Sequence, residues 1–162
     1  MNGGGPAGAC CVVNVTHRFG EPGREGSDKG EARPGVGTTG HRHAAVSGDE
    51  VTEGPDLVTP DALRMCHLPI VPAGSVLVAL TGQGKTRGQA AVLRIEATIN
   101  QHLAAIVCDD DLDGEFLFWA LTGQYMALRM VSDGQGGTKG ALTCDELGRF
   151  PIPKPPLAEQ RA

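Results

Sequence analysis

The stretch Thr81–Gly88, TGQGKTRG, lies between two apolar segments, and that placement limits the local fold more than any other feature of the chain. Val76-Leu77-Val78-Ala79-Leu80 precedes it. After it, Ala91, Leu93, Ile95, Ala97 and Ile99 are apolar while Arg94, Glu96 and Thr98 interleave. That period of two belongs to a half-buried strand over 91–99 rather than to a helix. Two strands joined by a glycine-rich connection predict a hairpin with this loop at its tip. The loop holds three glycines, two cations and three hydroxyl or amide side chains in eight residues. Such a backbone is suited to lie against a polyanion, either the phosphates of a nucleotide or those of DNA.

The nucleotide reading requires Gly-x-x-x-x-Gly-Lys-Ser/Thr between a strand and a helix, so that glycine amides cradle the phosphates. Gly84-Lys85-Thr86 supplies the end of that pattern, but its first glycine falls on Ala79. The helix that should follow is replaced by the alternating segment. Leu103–Asp110 resembles the apolar run ending in Asp that holds magnesium in such enzymes, yet any buried strand ending in a turn reads the same way. A P-loop-like nucleotide-binding fragment is therefore the alternative reading, and DNA phosphate the favoured one.

Charge distribution supports that preference. The chain carries a net charge of −5, which by itself disfavours nucleic acid. Residues 1–70 hold six cations against nine anions, and Cys108–Glu115 holds five acids and no base. Val71–Val107 has Lys85, Arg87 and Arg94 against Glu96 alone. Positive charge is thus concentrated at the loop, enough for a phosphate-facing edge and too little for a strong independent DNA binder.

At 162 residues the chain is one domain at most, and with 4% aromatics its core must be aliphatic. Between Gly20 and Asp56 there is no Leu, Ile, Phe or Met. Such a segment buries too little apolar surface to offset the entropy of ordering it, so residues 1–56 read as a Gly-rich, disordered arm in which only Cys10–Val15 has strand character. In that arm Cys10, Cys11 and His17, or His41 and His43, are incidental rather than metal ligands, and no metal site is expected. Five cysteines with no Cys-x-x-Cys pair discourage a full disulfide framework. No signal peptide and no long apolar run appear, and the expected location is cytoplasmic.

From Leu57 onward the predicted elements are a short helix opening at Thr59-Pro60-Asp61, a buried strand Ser75–Leu80, the loop and the strand 91–99. After the polar trio Asn100-Gln101-His102 come a strand Leu103–Cys108 and a helix Phe116–Met130 weakened or kinked at Gly123. Phe116, Trp119, Ala120, Ala127 and Met130 lie near one face of that helix, and Trp119 and Tyr125 are expected in the core. Ser132–Gly140 is a second glycine-rich turn. Thr143-Cys144-Asp145-Glu146 reads as a capping box opening a short helix that Gly148 ends. Phe150–Pro153 is a short extended piece. Pro155-Pro156-Leu157-Ala158-Glu159-Gln160 then starts a helix too short to persist without continuation or a partner. The fold class expected is α+β, a small mixed sheet with a few packed helices, preceded by the arm. Its units are 1–56, 57–154 and, as the start of a truncated helix, 155–162.

The series LVALTGQGKTRG, ATINQHLAAI and GGTKGALTCDELGRFPIPKPPLAEQRA resembles the target recognition domain of type I restriction–modification specificity subunits, across roughly residues 57–162. The Pro-Pro-Leu-Ala-Glu-Gln ending is its most distinctive part, and the arm does not share in it. The resemblance implies a non-catalytic DNA reader that partners double-stranded DNA, a modification (methyltransferase) subunit and a restriction subunit. S-adenosylmethionine, ATP and magnesium would belong to those partners, leaving no cofactor in this chain. The family's second recognition domain and long spacer helices have no counterpart here, so a fragment, or an inert remnant or interaction module, is a further reading. Within the domain, Lys85 and Arg87 are expected at phosphates beside Thr86. Gln83 and Gln89 are candidates to read a base edge, because an amide both donates and accepts. Asn100 and Gln101 either face a base or bond neighbouring backbone, and Lys139 is a second phosphate candidate. His102 reads as packed or capped. No catalytic arrangement is expected, because no Cys has an ordered base beside it.

Overall fold

Val76, Val78 and Leu80 leave their strand on one side and Leu77 and Ala79 on the other, and both sets are buried. A strand covered on both faces belongs to the middle layer of a three-layer fold. In the computed structural model of the chain, the described residues are 11–15, 38–41, 48–53, 56–59, 63, 68–82, 84–133 and 140–162. Among them β1 (Cys11–Val15), β9 (Leu103–Cys108), β6 (Val76–Ala79), β7 (Ala90–Leu93) and β3 (Glu50–Val51) form one sheet in that order. The second sheet has the order β4 (Asp56–Val58), β2 (Thr38–His41), β8 (Ala97–Ile99), β5 (Ile70–Val71). Both sheets are mixed: β1 runs parallel to β9 and β3 to β7, while β6 is antiparallel to both its neighbours.

One face of the five-stranded sheet receives helices α1 (Gly114–Gly123), α2 (Tyr125–Asp133) and α3 (Cys144–Gly148), through Leu117, Phe118, Leu121, Leu128 and Leu147. The other face meets the second sheet through Leu77, Ala79, Ala91, Leu93, Leu103 and Ala105, with Ala97, Ile99 and Val71 opposite. Full burial of each Leu, Ile or Val contributes about 1.5–3 kcal/mol. The expected mixed sheet with a few packed helices is this arrangement.

Three expectations change in detail. The single strand over 91–99 is two strands, β7 and β8, in different sheets. Arg94 and Glu96 are exposed at the corner between them, where Arg94 pairs with Glu50 at 2.5 Å and with Glu115. The period-two pattern survives the corner, since Ala91, Leu93, Ala97 and Ile99 all enter the core between the sheets with Ile95 packed against it. The helix over 116–130 is two helices, interrupted at Gln124 just past Gly123, and its buried face is not the one expected. Trp119 is 63% exposed and Met130 72%, while the sheet takes Leu117, Phe118, Leu121 and Leu128. Trp119 is thus outside the core, its ring edge-on to Phe118 at 4.9 Å between ring centroids. The break at Gln124 resets the helical phase, so a face drawn continuously across it selects the wrong residues.

The arm is the third case. Residues 1–10, 16–37 and 42–47 lie outside the described residues, and with them His17, His43 and the side chains of Cys10 and Cys11. The described residues of 1–56 include strands that pair into the sheets: β1 with β9, β2 with β8 and β3 with β7. Sheet pairing therefore crosses the boundary expected at residue 56. Leu63 donates its amide to the Thr59 carbonyl at 3.0 Å, a helical turn where one was expected, and the rest of that segment lies outside the described residues.

The capping box forms as read, Thr143 Oγ1 accepting from the Glu146 amide while the Glu146 carboxylate accepts from the Thr143 amide. The chain then extends through the buried Phe150 to α4 (Leu157–Gln160), and the PPLAEQRA segment docks on the start of α1. Gln160 is buried, its Oε1 accepting from the Asp113 amide at 2.8 Å and its Nε2 donating to the carbonyls of Asp111 and Pro155. Asp113 caps α1 by accepting from the amides of Glu115 and Phe116, and Arg161 Nε reaches its other oxygen at 3.0 Å.

Burial alone would raise the Asp113 carboxyl, but the Arg161 guanidinium and the two amides outweigh it and hold the group below its ordinary range. A depressed carboxyl contributes stability that is complete above its unfolded value, about pH 4, and is lost as pH falls through the folded value. Asp113→Asn keeps a competent cap and removes the charge. Its melting temperature should start lower at pH 7 and fall less steeply than wild type in acid; parallel acid limbs would show that this carboxylate carries no such linkage.

Candidate nucleic-acid interface

The β6–β7 hairpin closes on backbone bonds, Ala79 N–H to the Gln89 carbonyl at 2.9 Å and Gly88 N–H to the Ala79 carbonyl at 2.8 Å. Its tip turns back on itself where the Gln89 amide donates to the Thr86 carbonyl. Gly82 has φ 125° and Gly88 φ 83°, conformations that side chains rarely tolerate, whereas Gly84 lies in open space and is not in that region. Two of the three glycines are therefore required by the turn itself.

The loop is held from three sides. From α2, Tyr125 donates its hydroxyl to the Lys85 carbonyl at 2.7 Å, and Arg129 donates to the Gly84 carbonyl at 2.6 Å and the Arg87 carbonyl at 3.5 Å. Arg129 also donates to the Tyr125 hydroxyl at 3.1 Å, with its guanidinium carbon 5.7 Å from that ring's centroid. From the segment after the second glycine-rich turn, Gly140 accepts from the Arg87 guanidinium and the Leu142 amide donates to the Leu80 carbonyl at 2.8 Å. From the β8–β9 turn, the His102 carbonyl accepts from Leu80 N–H at 2.9 Å, and Thr81 Oγ1 and His102 Nδ1 share a hydrogen bond at 3.1 Å. Carbonyls facing α2 are thus satisfied by charged and phenolic donors, and hydrogen bonds from charged donors are the stronger kind.

This geometry sorts the expected residues. Lys85 is exposed at the tip with its carbonyl fixed behind it. Thr86 is half-buried and its carbonyl closes the turn. Arg87 is only 3% exposed and its guanidinium is turned to the Gly140 carbonyl, so it fastens the loop instead of facing solvent. Gln89 is half-buried on the wall of a cleft of roughly 380 Å³ that Lys85 and Tyr125 also line. Asn100 Oδ1 accepts from the His102 amide at 3.0 Å, closing the β8–β9 turn, and Gln101 is exposed beside His102. The structure therefore gathers the loop and the 100–102 trio at one end of the sheet, joined through His102, which is bonded as its capped reading anticipates. Gln83 and Lys139 lie outside the described residues.

Tyr125 and Arg129 are what sequence reasoning missed as loop contacts. The signal was present: they stand four residues apart, hence on one helix face, and that face is turned to the hairpin. The nucleotide reading fails on connectivity, because β6 is followed by an antiparallel strand and the nearest helix presents side chains, not its N-terminal amides, to the loop. Cys108 is half-buried, and burial first, then Asp109 and Asp113, pushes its thiol up to about 11. It stays protonated at neutral pH and is no nucleophile.

Residues 41–162 match the family described as Type I restriction modification DNA specificity domain, and the chain belongs to that family. The match starts upstream of residue 57, in agreement with the strands found there. Among solved structures the chain is similar to one from work on the structural basis of complex assembly and conformational transition of the type I R-M system, at 26% identity and TM-score 0.58 over 79% of this chain. It also shares the fold of the HsdS subunit from Thermoanaerobacter tengcongensis, at 21% identity and TM-score 0.54 over 82% of this chain. The chain spans 29% and 31% of the lengths of those two proteins.

Losing Arg129 leaves three acceptors without their donor. Arg129→Ala should accelerate hydrogen exchange at the Gly88 and Gln89 amides well beyond any change at Leu103, and unchanged protection in the loop would show that α2 does not hold it. Gly88→Ala should cost about 1–2 kcal/mol in a denaturant titration, from the left-handed backbone it must adopt.

Proposed function

We propose that the chain is a DNA-sequence recognition module of a type I restriction–modification complex, itself non-catalytic. The observation that carries this is the tip of the β6–β7 hairpin in a chain of the specificity-domain family. There an exposed Lys85 is presented by a backbone whose Gly84, Lys85 and Arg87 carbonyls accept from α2. In this reading Lys85 meets a DNA phosphate and fixes register, while Gln89 and Gln101 face the duplex nearby. Thr86, Arg87 and Asn100 shape the surface without touching DNA. Gln83 and Lys139 are assigned to the same surface on sequence alone.

Partners follow from the same reading: double-stranded DNA, a modification subunit and a restriction subunit. S-adenosylmethionine, ATP and magnesium act on those subunits. The assignment of a cytoplasmic location fits such a complex, and no helix among the described residues is long and apolar enough to cross a membrane. Trp119 on α1 and Met126 and Met130 on α2 are large apolar residues left exposed, which is compatible with life inside an assembly.

One phosphate contact predicts one increment of salt dependence. The logarithm of duplex affinity against that of salt concentration should have a slope lower by about 0.9 in Lys85→Ala than in wild type, with all duplexes weakened alike. An unchanged slope would remove Lys85 from the contact set.

A further inference from the structure

The cleft beside the loop has a wall chemistry that a phosphate contact does not use. Lys85, Gly88 and Gln89 form one side, Thr122 and Tyr125 of the α1–α2 corner another, and Asp49, just before β3, a third. Asp49 is exposed and its place is fixed by its carbonyl, which accepts from the Val92 amide at 2.9 Å. Tyr125 is fixed by its bond to the Lys85 carbonyl. The cleft is therefore bounded by tied residues and measures roughly 380 Å³, within the range of pockets that take small ligands or parts of larger ones.

Its occupant must satisfy two opposite demands. At the rim, Lys85 favours an anion. At the wall, Asp49 repels one, and a wholly apolar guest would strip water from Lys85, Asp49 and Gln89 with no return. A free nucleotide bearing several phosphates meets one cation and one opposing carboxylate, a poor balance. A nucleotide within a duplex meets both demands, with its phosphate outside and a neutral base edge inside. The two wall groups then choose among bases. A carboxylate only accepts, so it pairs with the exocyclic amino group of adenine or cytosine and repels the acceptor edges that guanine and thymine show in the major groove. The Gln89 amide fits the same set, since it pairs with the N6 and N7 of adenine.

We propose that this cleft is a base-reading site for an amino-bearing base, adenine or cytosine, at one position of the DNA target, with Asp49 and Gln89 as its specificity-determining residues. The assignment rests on the recognition reading above and adds what is read and by which groups. It also gives a role to Asp49, an acid on an otherwise DNA-facing surface.

The test is selection by the full chain from a randomised duplex pool at low salt, followed by sequencing. Wild type should enrich a consensus in which one position is restricted to adenine or cytosine. Asp49→Asn adds a donor where only acceptors stood, so it should relax that position while leaving the others, and weaken the best wild-type duplex about tenfold. Gln89→Ala should relax the same position. Because Asp49 is exposed, the Asp49→Asn melting curve should match wild type, which separates lost reading from lost folding. A consensus indifferent to both substitutions overturns the cleft assignment alone. A wild-type chain that enriches no sequence overturns the recognition reading, and the cleft assignment with it.

Discussion

The bonds from Tyr125 and Arg129 to the carbonyls of Gly84, Lys85 and Arg87 are the interaction on which the rest of the interface depends. A hairpin tip of this length, rich in glycine, would otherwise sample many shapes, and each contact it made with DNA would first have to offset that freedom. In the proposed reading, anchoring its inner side to α2 removes that freedom before any duplex is bound. The anchor in turn requires α2 to lie flat on the sheet, and Leu128, fully buried and lying between the two anchors in sequence, keeps it there. Arg87 serves the same end from the opposite side, which is why a residue with a phosphate-binding side chain is found 3% exposed.

Behind the loop stands a sheet covered on both faces. Alternate residues of β6 and β7 go to the helices or to the second sheet, and the inter-sheet positions are often alanine: Ala79, Ala91, Ala97 and Ala105. Small side chains let the two sheets approach closely, and the rigidity that results is what a reading surface requires. The corner at Arg94–Glu96 passes the chain from one sheet to the other. Both ends of that corner feed the interface, since β7 leads back to the loop and β8 forward to the Asn100–His102 turn.

Much of this was legible in the sequence. The hairpin followed from two strand patterns around a glycine-rich tip, β9 and the capping box were read at their places, and the family resemblance rested on motifs that the comparison with known proteins bears out. The illegible parts share a cause, which is contact between segments distant in sequence. A corner that moves a strand between sheets leaves the period-two pattern intact, so 91–99 read as one strand. A helix break at Gln124 shifts the phase of everything after it, so Met130 faces solvent, and within α1 itself the sheet takes Leu117, Phe118 and Leu121 in place of Trp119. Strand β1 has strand character in its own sequence, whereas β2 and β3 are short and poor in large aliphatics, and their pairing is set by β8 and β7 rather than by their own composition. At the interface, Lys85 and Arg87 are one turn of loop apart and chemically alike. The Gly140 carbonyl, 53 residues further on, holds Arg87 inward, while Lys85 stays exposed.

The most direct measurement is a double-mutant cycle on duplex binding with Lys85→Ala, Arg129→Ala and the two together, each at matched folded fraction. If α2 acts by presenting Lys85, the two losses are not additive, and Lys85→Ala costs little once Arg129 is gone. Full additivity would contradict that coupling and make Arg129 either an independent DNA contact or a bystander.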